Sequence, residues 1–359
     1  MNCTLLCLCV VCAAVLFLGG IHGGFADTGE AQHVITWADM RVDEYTVSLE
    51  YRGGRNRSRV IVVDKNGGGD SVTVQGAVDM VPPNNVERVK IYLLPGIYRE
   101  KVYIPASKPY ISLIGNPNHT SETVISWNNK ASDKDEDGQE LGTSGSASVT
   151  VESDYFCASG ITFENSITTE PGVLGRQAVA LRISSDRAMF YKVRFLGTQD
   201  TLFDDFGLHY FYQCYIQGSI DFIFGHSKSL YQDCVIHSIA KSSGAIAAHH
   251  RNTLDDDTGF SFVNCEIEGT GFIYLGRAWG QYSRAIYSYC NIHNMITPKG
   301  WSDWNDPSRQ KTAVFGEYQC KGRGANRRWR VQWSKSLSDD EARPFLDTKY
   351  IDGEQWLSL

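Results

Sequence analysis

Two aspartates occupy one phase of a repeated segment. One copy of the segment ends at Gly197 and the next at Gly218, and an aspartate follows each after three residues, Asp200 and Asp221. The flanks match as well, Asp200-Thr-Leu-Phe203 against Asp221-Phe-Ile-Phe224. If the copies stack as coils, the two α-carbons lie about 4.8 Å apart, one strand spacing. Carboxyls that close cannot both ionise cheaply, so one keeps its proton and the other stays charged. That divides the labour into a general acid and a nucleophile or base. Phe203 and Phe224 would dry the pair. Gln199 precedes the first aspartate and Gln177 lies about one coil upstream; neutral amide donors beside a nucleophilic carboxylate suit an oxyanion site. Arg277, in Leu275-Gly-Arg-Ala-Trp279, would pair with the ionised aspartate and hold its rotamer.

These residues need a scaffold that keeps phase, and the repeats supply one. Five octets begin on an aromatic residue: Phe190–Gly197, Phe211–Gly218, Tyr231–Ser238, Phe262–Gly269 and Tyr287–Asn294, with starts 21, 20, 31 and 25 residues apart. Their fourth and sixth positions are apolar throughout: Val193/Phe195, Cys214/Ile216, Cys234/Ile236, Cys265/Ile267 and Cys290/Ile292. A weaker copy starts at Ala158. Two-residue alternation indicates strand, and short strands recurring at this period indicate one coil per repeat. The reading is an all-β protein, a right-handed parallel β-helix built as a single-stranded solenoid. A β-sandwich is the competing arrangement; propeller blades would need a longer period. Residues at equal phase on adjacent coils fall within disulfide reach, which makes Cys214 and Cys234 the natural pair. A ladder of buried thiols explains Cys265 and Cys290 equally well.

Around this frame, Arg59–Asp64 and Val89–Leu94 read as strands. Ser71–Val81 reads as a short amphipathic helix capping the open end of the stack. Ser132–Gln139 is an acidic, solvated loop, and Ser338–Ala342 a capped helix start. The tail after Gly300 reads as irregular and packed along the outside. Composition is that of a globular protein: 359 residues, 42% hydrophobic, 21% charged, 34 Gly and 10 Pro. Collagen, disordered and polytopic membrane classes are excluded. A net charge of −7 argues against a basic nucleic-acid-binding domain. Met1–Ala26 carries no Asp, Glu, Lys or Arg and holds the apolar run Leu5–Leu18, so residues 1–26 read as a signal peptide. Residues 27–58 form an N-terminal extension and 59–357 the catalytic domain. Four cysteines leave with the leader and six remain, none in a CxxC pair, so no metal site is expected. Sequons at Asn56 and Asn118 suit a secreted glycoprotein.

Five motifs in order, Gly96-Ile-Tyr-Arg-Glu100, Gln177-Ala-Val-Ala-Leu181, Gly197-Thr-Gln-Asp-Thr-Leu202, Gly218-Ser-Ile-Asp-Phe-Ile-Phe-Gly225 and Leu275-Gly-Arg-Ala-Trp279, resemble the motif set of plant pectinesterases, most closely the quartet-type branch. The motifs begin soon after the leader, without the long inhibitor-like pro-region of many plant members. The resemblance implies a β-helical carboxylic ester hydrolase of the cell wall. It would remove methyl esters from homogalacturonan with neither metal nor organic cofactor. Position by position, Asp221 resembles the nucleophile and Asp200 the proton donor. Gln177 and Gln199 match the oxyanion pair, Arg277 the orienting arginine, and Trp279 the sugar-stacking tryptophan. The family's linked cysteines fall on Cys214 and Cys234. Further substrate contacts are expected from Ser148, Phe203, Phe224 and Trp301. Methyl-esterified homogalacturonan is the implied partner, a proteinaceous inhibitor a second, and the chain a monomer free of membrane once the leader is removed.

Departures from the family pattern bear on subsites. Phe203 stands where a tyrosine is common, Ala248-His-His-Arg251 replaces Ala-Gln-Gly-Arg, and Ala278 replaces a proline. His249 and His250 are either titrating groove residues or structural ones. A retaining glycosidase also uses two carboxyls about 5–5.5 Å apart, but has no need of the glutamines. A pectate lyase would want clustered calcium carboxylates, and Asp255–Asp257 is the dense acidic cluster near the repeats. The Asp-Thr-Gly triplets at 27 and 257 lack the context of an aspartic protease. A sugar-binding protein without activity would use Trp279, Trp301 and Trp304 as platforms.

Overall fold

A computed structural model describes residues 34–42, 60–168 and 174–359. The leader, most of the N-terminal extension and the Asn56 sequon lie outside the described residues.

Every ladder in the coil stack is parallel, and the chain winds through three faces in turn. The first face has eleven strands, from Val60–Val63 to Lys335–Ser336. The second and third faces are joined into one fourteen-stranded sheet, because Val235–His249 and Glu266–Ala278 run through the corner between them without a break. The architecture is a parallel β-helix. Inward side chains form stacks along its axis. Phe190, Phe211, Tyr231, Phe262 and Tyr287 pair in register on the first face. Their ring centroids are 4.6, 4.6, 4.7 and 4.4 Å apart. On the second face Phe163, Phe195, Ile216, Ile236, Ile267 and Ile292 do the same.

Each octet therefore forms a corner rather than one strand. Its first residue points inward from the first face and its sixth from the second. Its third residue, Lys192, Gln213, Asp233, Asn264 or Tyr289, turns the chain with φ between 49° and 57°. The fourth residue points inward at the corner itself. There Cys214, Cys234, Cys265 and Cys290 stack, with Cys320 continuing the column, and in the structure all are free thiols. The expected Cys214–Cys234 link is not made. Each thiol instead donates to main-chain carbonyls, Cys214 to Phe190 at 3.5 Å and Cys234 to Phe211 at 3.4 Å.

The helix Val74–Asp79 covers the open end of the stack and buries Val74, Ala77 and Val78 on one face. Thr73 Oγ1 accepts from Gly76 N, and the Glu100 carboxylate accepts from Val74 N and Gln75 N at 2.8 and 2.9 Å. The amides at the start of the helix are thereby satisfied. The tail after Gly300 differs from expectation: Trp301–Ser302, Val314–Tyr318 and Lys335–Ser336 extend the coils before the chain leaves them. Only then does it run outside. Leu357–Ser358 pairs with Ile35–Thr36, and Met40, Ile351 and Trp356 seal the outer side of the first face against Met189, Tyr210 and Leu230. Ser338 and Glu341 form the expected capping box at Asp339–Ala342.

Candidate active site

The third face carries an outward column in register: Arg182, Phe203, Phe224, Ala248, Arg277 and Ser302. At its edge the chain enters each strand through a tight bend. Gln199 bridges Ile220, and Leu202 and Phe203 pair with Ile223 and Phe224. These pairs share one offset, so Asp200 and Asp221 stand one rung apart, as the repeat spacing requires. Asp200 N donates to Ile220 O at 3.0 Å, fixing the bend. Both aspartates hold left-handed backbone, φ 58° and 45°, a conformation that aspartate tolerates better than most residues. Gly218 is needed beneath them, because a Cβ there would lie 2.2 Å from that of Phe222.

The two carboxyls have different surroundings. Asp221 is 6% exposed and gripped by Arg277. Arg277 Nε donates to Oδ1 at 2.7 Å and Nη2 to Oδ2. The guanidinium lies over the ring of Trp304, 4.0 Å from its centroid. Burial raises the pKa of Asp221, and the hydrogen bonds and charge of Arg277 oppose the rise. Asp200 makes no ion pair among the described residues. Burial first, and then the neighbouring Asp221 charge, push it well above the usual carboxylate range; Arg277 and a hydrogen bond with Gln199 pull back weakly. Both carboxyls are thus pushed upward by burial, Asp200 more strongly, and Asp221 alone is ion-paired with a cation that opposes the rise.

The groove over this pair has a volume of about 490 Å3, within the range of small-molecule sites. Gln177, Gln199, Phe203, Phe224, Arg277 and Trp279 line it together with both aspartates. Phe203 and Phe224 stack at 4.4 Å. Gln177 Oε1 is buried with no hydrogen-bond partner among the described residues, so this amide is uncommitted on at least one side. Ala178 N donates to Gln199 O at 3.1 Å, tying the two glutamine segments together.

Two expected contacts fall elsewhere. Trp301 is 1% exposed and stacks on Phe315 at 4.5 Å inside the coil. It pairs with Gly276, one residue off the outward column, so its side chain turns inward. Ser148 is fully buried and does not line the groove, whereas Leu141–Ser144 does. Of the two histidines, His249 is buried and structural. Its Nε2 faces Ser227 O at 3.3 Å, its Nδ1 accepts from Arg284 N, and burial holds its pKa down to about 3. His250 packs against Trp279 with centroids 4.3 Å apart, and burial lowers its pKa too. The sequence reading used Trp304 only as a sugar platform and gave no role to Leu141–Ser144. No motif marks either, and only the winding of the chain brings them to the groove.

Residues 60–354 match the pectinesterase family model. The chain is 61% identical over 350 residues to Pectinesterase QRT1 of Arabidopsis thaliana, covering 93% of this chain and 92% of that one. It is 44% identical over 308 residues to Probable pectinesterase 8 of the same plant, covering 83% and 76%. Among solved structures, pectin methylesterase from carrot superposes with a TM-score of 0.75 at 33% identity, over 84% of this chain and 96% of that chain. The Aspergillus niger pectin methylesterase gives 0.71 at 28% identity, over 84% and 96%.

Proposed function

The chain belongs to the pectinesterase family, and we propose that it hydrolyses the methyl esters of homogalacturonan through an aspartyl acyl-enzyme. The observation that carries the reading is the asymmetry of the carboxyl pair: Asp221 is held in the fork of Arg277, and Asp200, one rung away without an ion pair among the described residues, is pushed toward its protonated form by burial and by its neighbour. An Oδ of Asp221 attacks the ester carbonyl carbon. The amides of Gln177 and Gln199 receive the negative charge that develops on the carbonyl oxygen. As the tetrahedral intermediate collapses, Asp200 gives its proton to the departing methoxide, and methanol leaves. A mixed anhydride then joins Asp221 to the sugar. The ionised Asp200 takes a proton from water, which attacks the anhydride. The free galacturonate is released, and Asp221 returns as carboxylate with Asp200 reprotonated. Trp279 and the Phe203–Phe224 stack give the sugar an apolar floor.

The same reading places the protein in the plant cell wall. In its support, the uncharged start of the chain has the pattern of a secretory leader, the Asn118 sequon is exposed, and among the described residues no helix is long and apolar enough to cross a membrane. Mass spectrometry of the mature terminus and of Asn118 tests it. A proteinaceous inhibitor belongs to the reading as a second partner, tested by co-elution of a 1:1 complex. Methanol release from methyl-esterified polygalacturonate tests the activity, with Asp221→Asn as the control. No methanol, or an Asn variant as active as the parent, rejects the esterase. New reducing ends would indicate a glycosidase, and unsaturated products a lyase.

A further inference from the structure

The coil that follows Val314–Tyr318 has a charge unlike the rest of the molecule. The whole chain is acidic at −7, yet residues 318–338 contain no Asp or Glu and six Lys or Arg. Two of the six, Arg327 and Arg330, are spent internally on the buried Glu317, at 2.6 and 2.9 Å. Arg330 also donates to the carbonyls of Thr297 and Pro298. Val331 N donates to Lys299 O at 3.1 Å. The segment is thus braced against the loop 297–300, which runs straight on into the strand Trp301–Ser302 and the groove residue Trp304. Lys321, Arg323 and Arg328 are exposed and make no ion pair among the described residues. Beside them Trp329 is 66% exposed, and Arg328 lies over its ring at 5.0 Å. The other seven tryptophans are buried or half-buried, so this ring is held out in water against the general behaviour of tryptophan in this chain. Two short 3-10 turns, Arg323–Ala325 and Arg327–Trp329, hold the group in place.

We propose that this basic, tryptophan-bearing turn is a second polymer-binding site that takes de-esterified runs of homogalacturonan, the product of the reaction. The inference rests on the esterase reading for the identity of the polymer. Charge complementarity selects the occupant. A methyl-esterified unit is neutral, whereas each freed galacturonate adds a carboxylate for Lys321, Arg323 or Arg328. The indole face of Trp329 offers an apolar plane to the C–H side of a sugar ring, with Arg328 as its rim. Of the acidic groups around the turn, Glu317 is engaged by Arg327 and Arg330, and Glu266, two rungs back in the register Glu266–Asn291–Lys321, by His293 and Asn291. The site would retain a chain that has already been processed while its esterified remainder is presented to the groove.

The test compares the mature protein with the double variant Arg328→Gln/Trp329→Ala. The ligand is a fully de-esterified oligogalacturonate of about ten or more units, titrated calorimetrically at low and moderate salt. The expected result is a five- to tenfold weaker affinity in the variant, about what loss of one cation and one stacked ring should cost, with a shallower salt dependence. Turnover of a short methyl-esterified trigalacturonate, which is too small to bridge both places, stays unchanged. A second variant, Lys321→Gln/Arg323→Gln, keeps the ring and should bind more weakly at low salt, with a shallower salt dependence and a smaller loss at moderate salt. Equal affinity in parent and variants overturns the proposal. So does a parallel loss of trimer turnover, which would make the turn a mere prop for the groove. Methanol release by the parent is read separately, so failure of the esterase reading and failure of the second site are distinguishable.

Discussion

Arg277→Ala is the most informative perturbation of the groove. Arg277 makes two charge-assisted hydrogen bonds to Asp221, and its own side chain reaches the solvent of the groove. Such bonds contribute about 1.5–3 kcal/mol each. With part of the fork solvated, the pair together is worth about 3 kcal/mol, a factor of roughly 160 in rate if all of it bears on the attacking carboxylate. The pH profile should move as well. Burial raises the pKa of Asp221 and Arg277 opposes that rise, so removing the guanidinium leaves burial unopposed. The active form of Asp221 is the charged one, so the acid limb of kcat/KM shifts to higher pH. Arg277→Lys restores a charge without the fork and should fall between, with the acid limb nearly in place and kcat down by about tenfold. Initial rates of methanol release from pH 4 to 9 measure both effects. An alanine variant within twofold of the parent kcat, with an unmoved acid limb, would refute the claim that Arg277 keeps the nucleophile charged.

Asp200→Asn should cost 10²–10⁴ in kcat by removing the acid, roughly the range for general acid catalysis. It should also raise Tm at neutral and alkaline pH. The folded pKa of Asp200 lies above its unfolded value, so its protonated form supports the fold at low pH and that support is lost as pH rises through the folded pKa. An asparagine pays no such penalty, and the gain should vanish below about pH 3.5, under the unfolded pKa. Trp301→Ala should lose about 3–5 kcal/mol of stability, read by denaturant unfolding, whereas Trp279→Ala should raise KM several-fold with little change in Tm. His209→Ala should cost about 3–5 kcal/mol, because His209 Nδ1 meets Asp204 Oδ1 at 2.5 Å inside the coil and the carboxylate would be left buried with only Tyr231 and Ser229.

The stack was legible because its inward positions repeat, and the carboxyl pair because it keeps phase with them. The corner was not legible: the alternation of positions four and six reads as strand, while inward residues at one, four and six break strict alternation, and the left-handed third residue that absorbs the slip carries no common residue type. Trp301 shows where such reading fails. One residue separates inward from outward on a strand, and nothing near Lys299-Gly-Trp-Ser302 fixes its register to Arg277. Ser148 was misplaced for another reason: no repeat reaches that stretch to show that its side chain is buried. The cysteine column defeats pairing arguments because five thiols share one phase, so proximity alone selects no partner.

The main chain beneath the two reacting groups limits what could replace them. Each springs from a left-handed bend, φ 58° and 45°, which aspartate accepts readily because its short arm can bond to nearby backbone. Side chains as long as glutamate's hold such a bend elsewhere in the stack, at Gln213 and Gln319, so what tells against glutamate is reach: its extra methylene would carry the carboxyl past its neighbour on the adjoining rung. Interchange of the two acidic amino acids is therefore limited by side-chain length, and a homologue bearing glutamate at either place would have to have drawn the rung that carries it back from its partner.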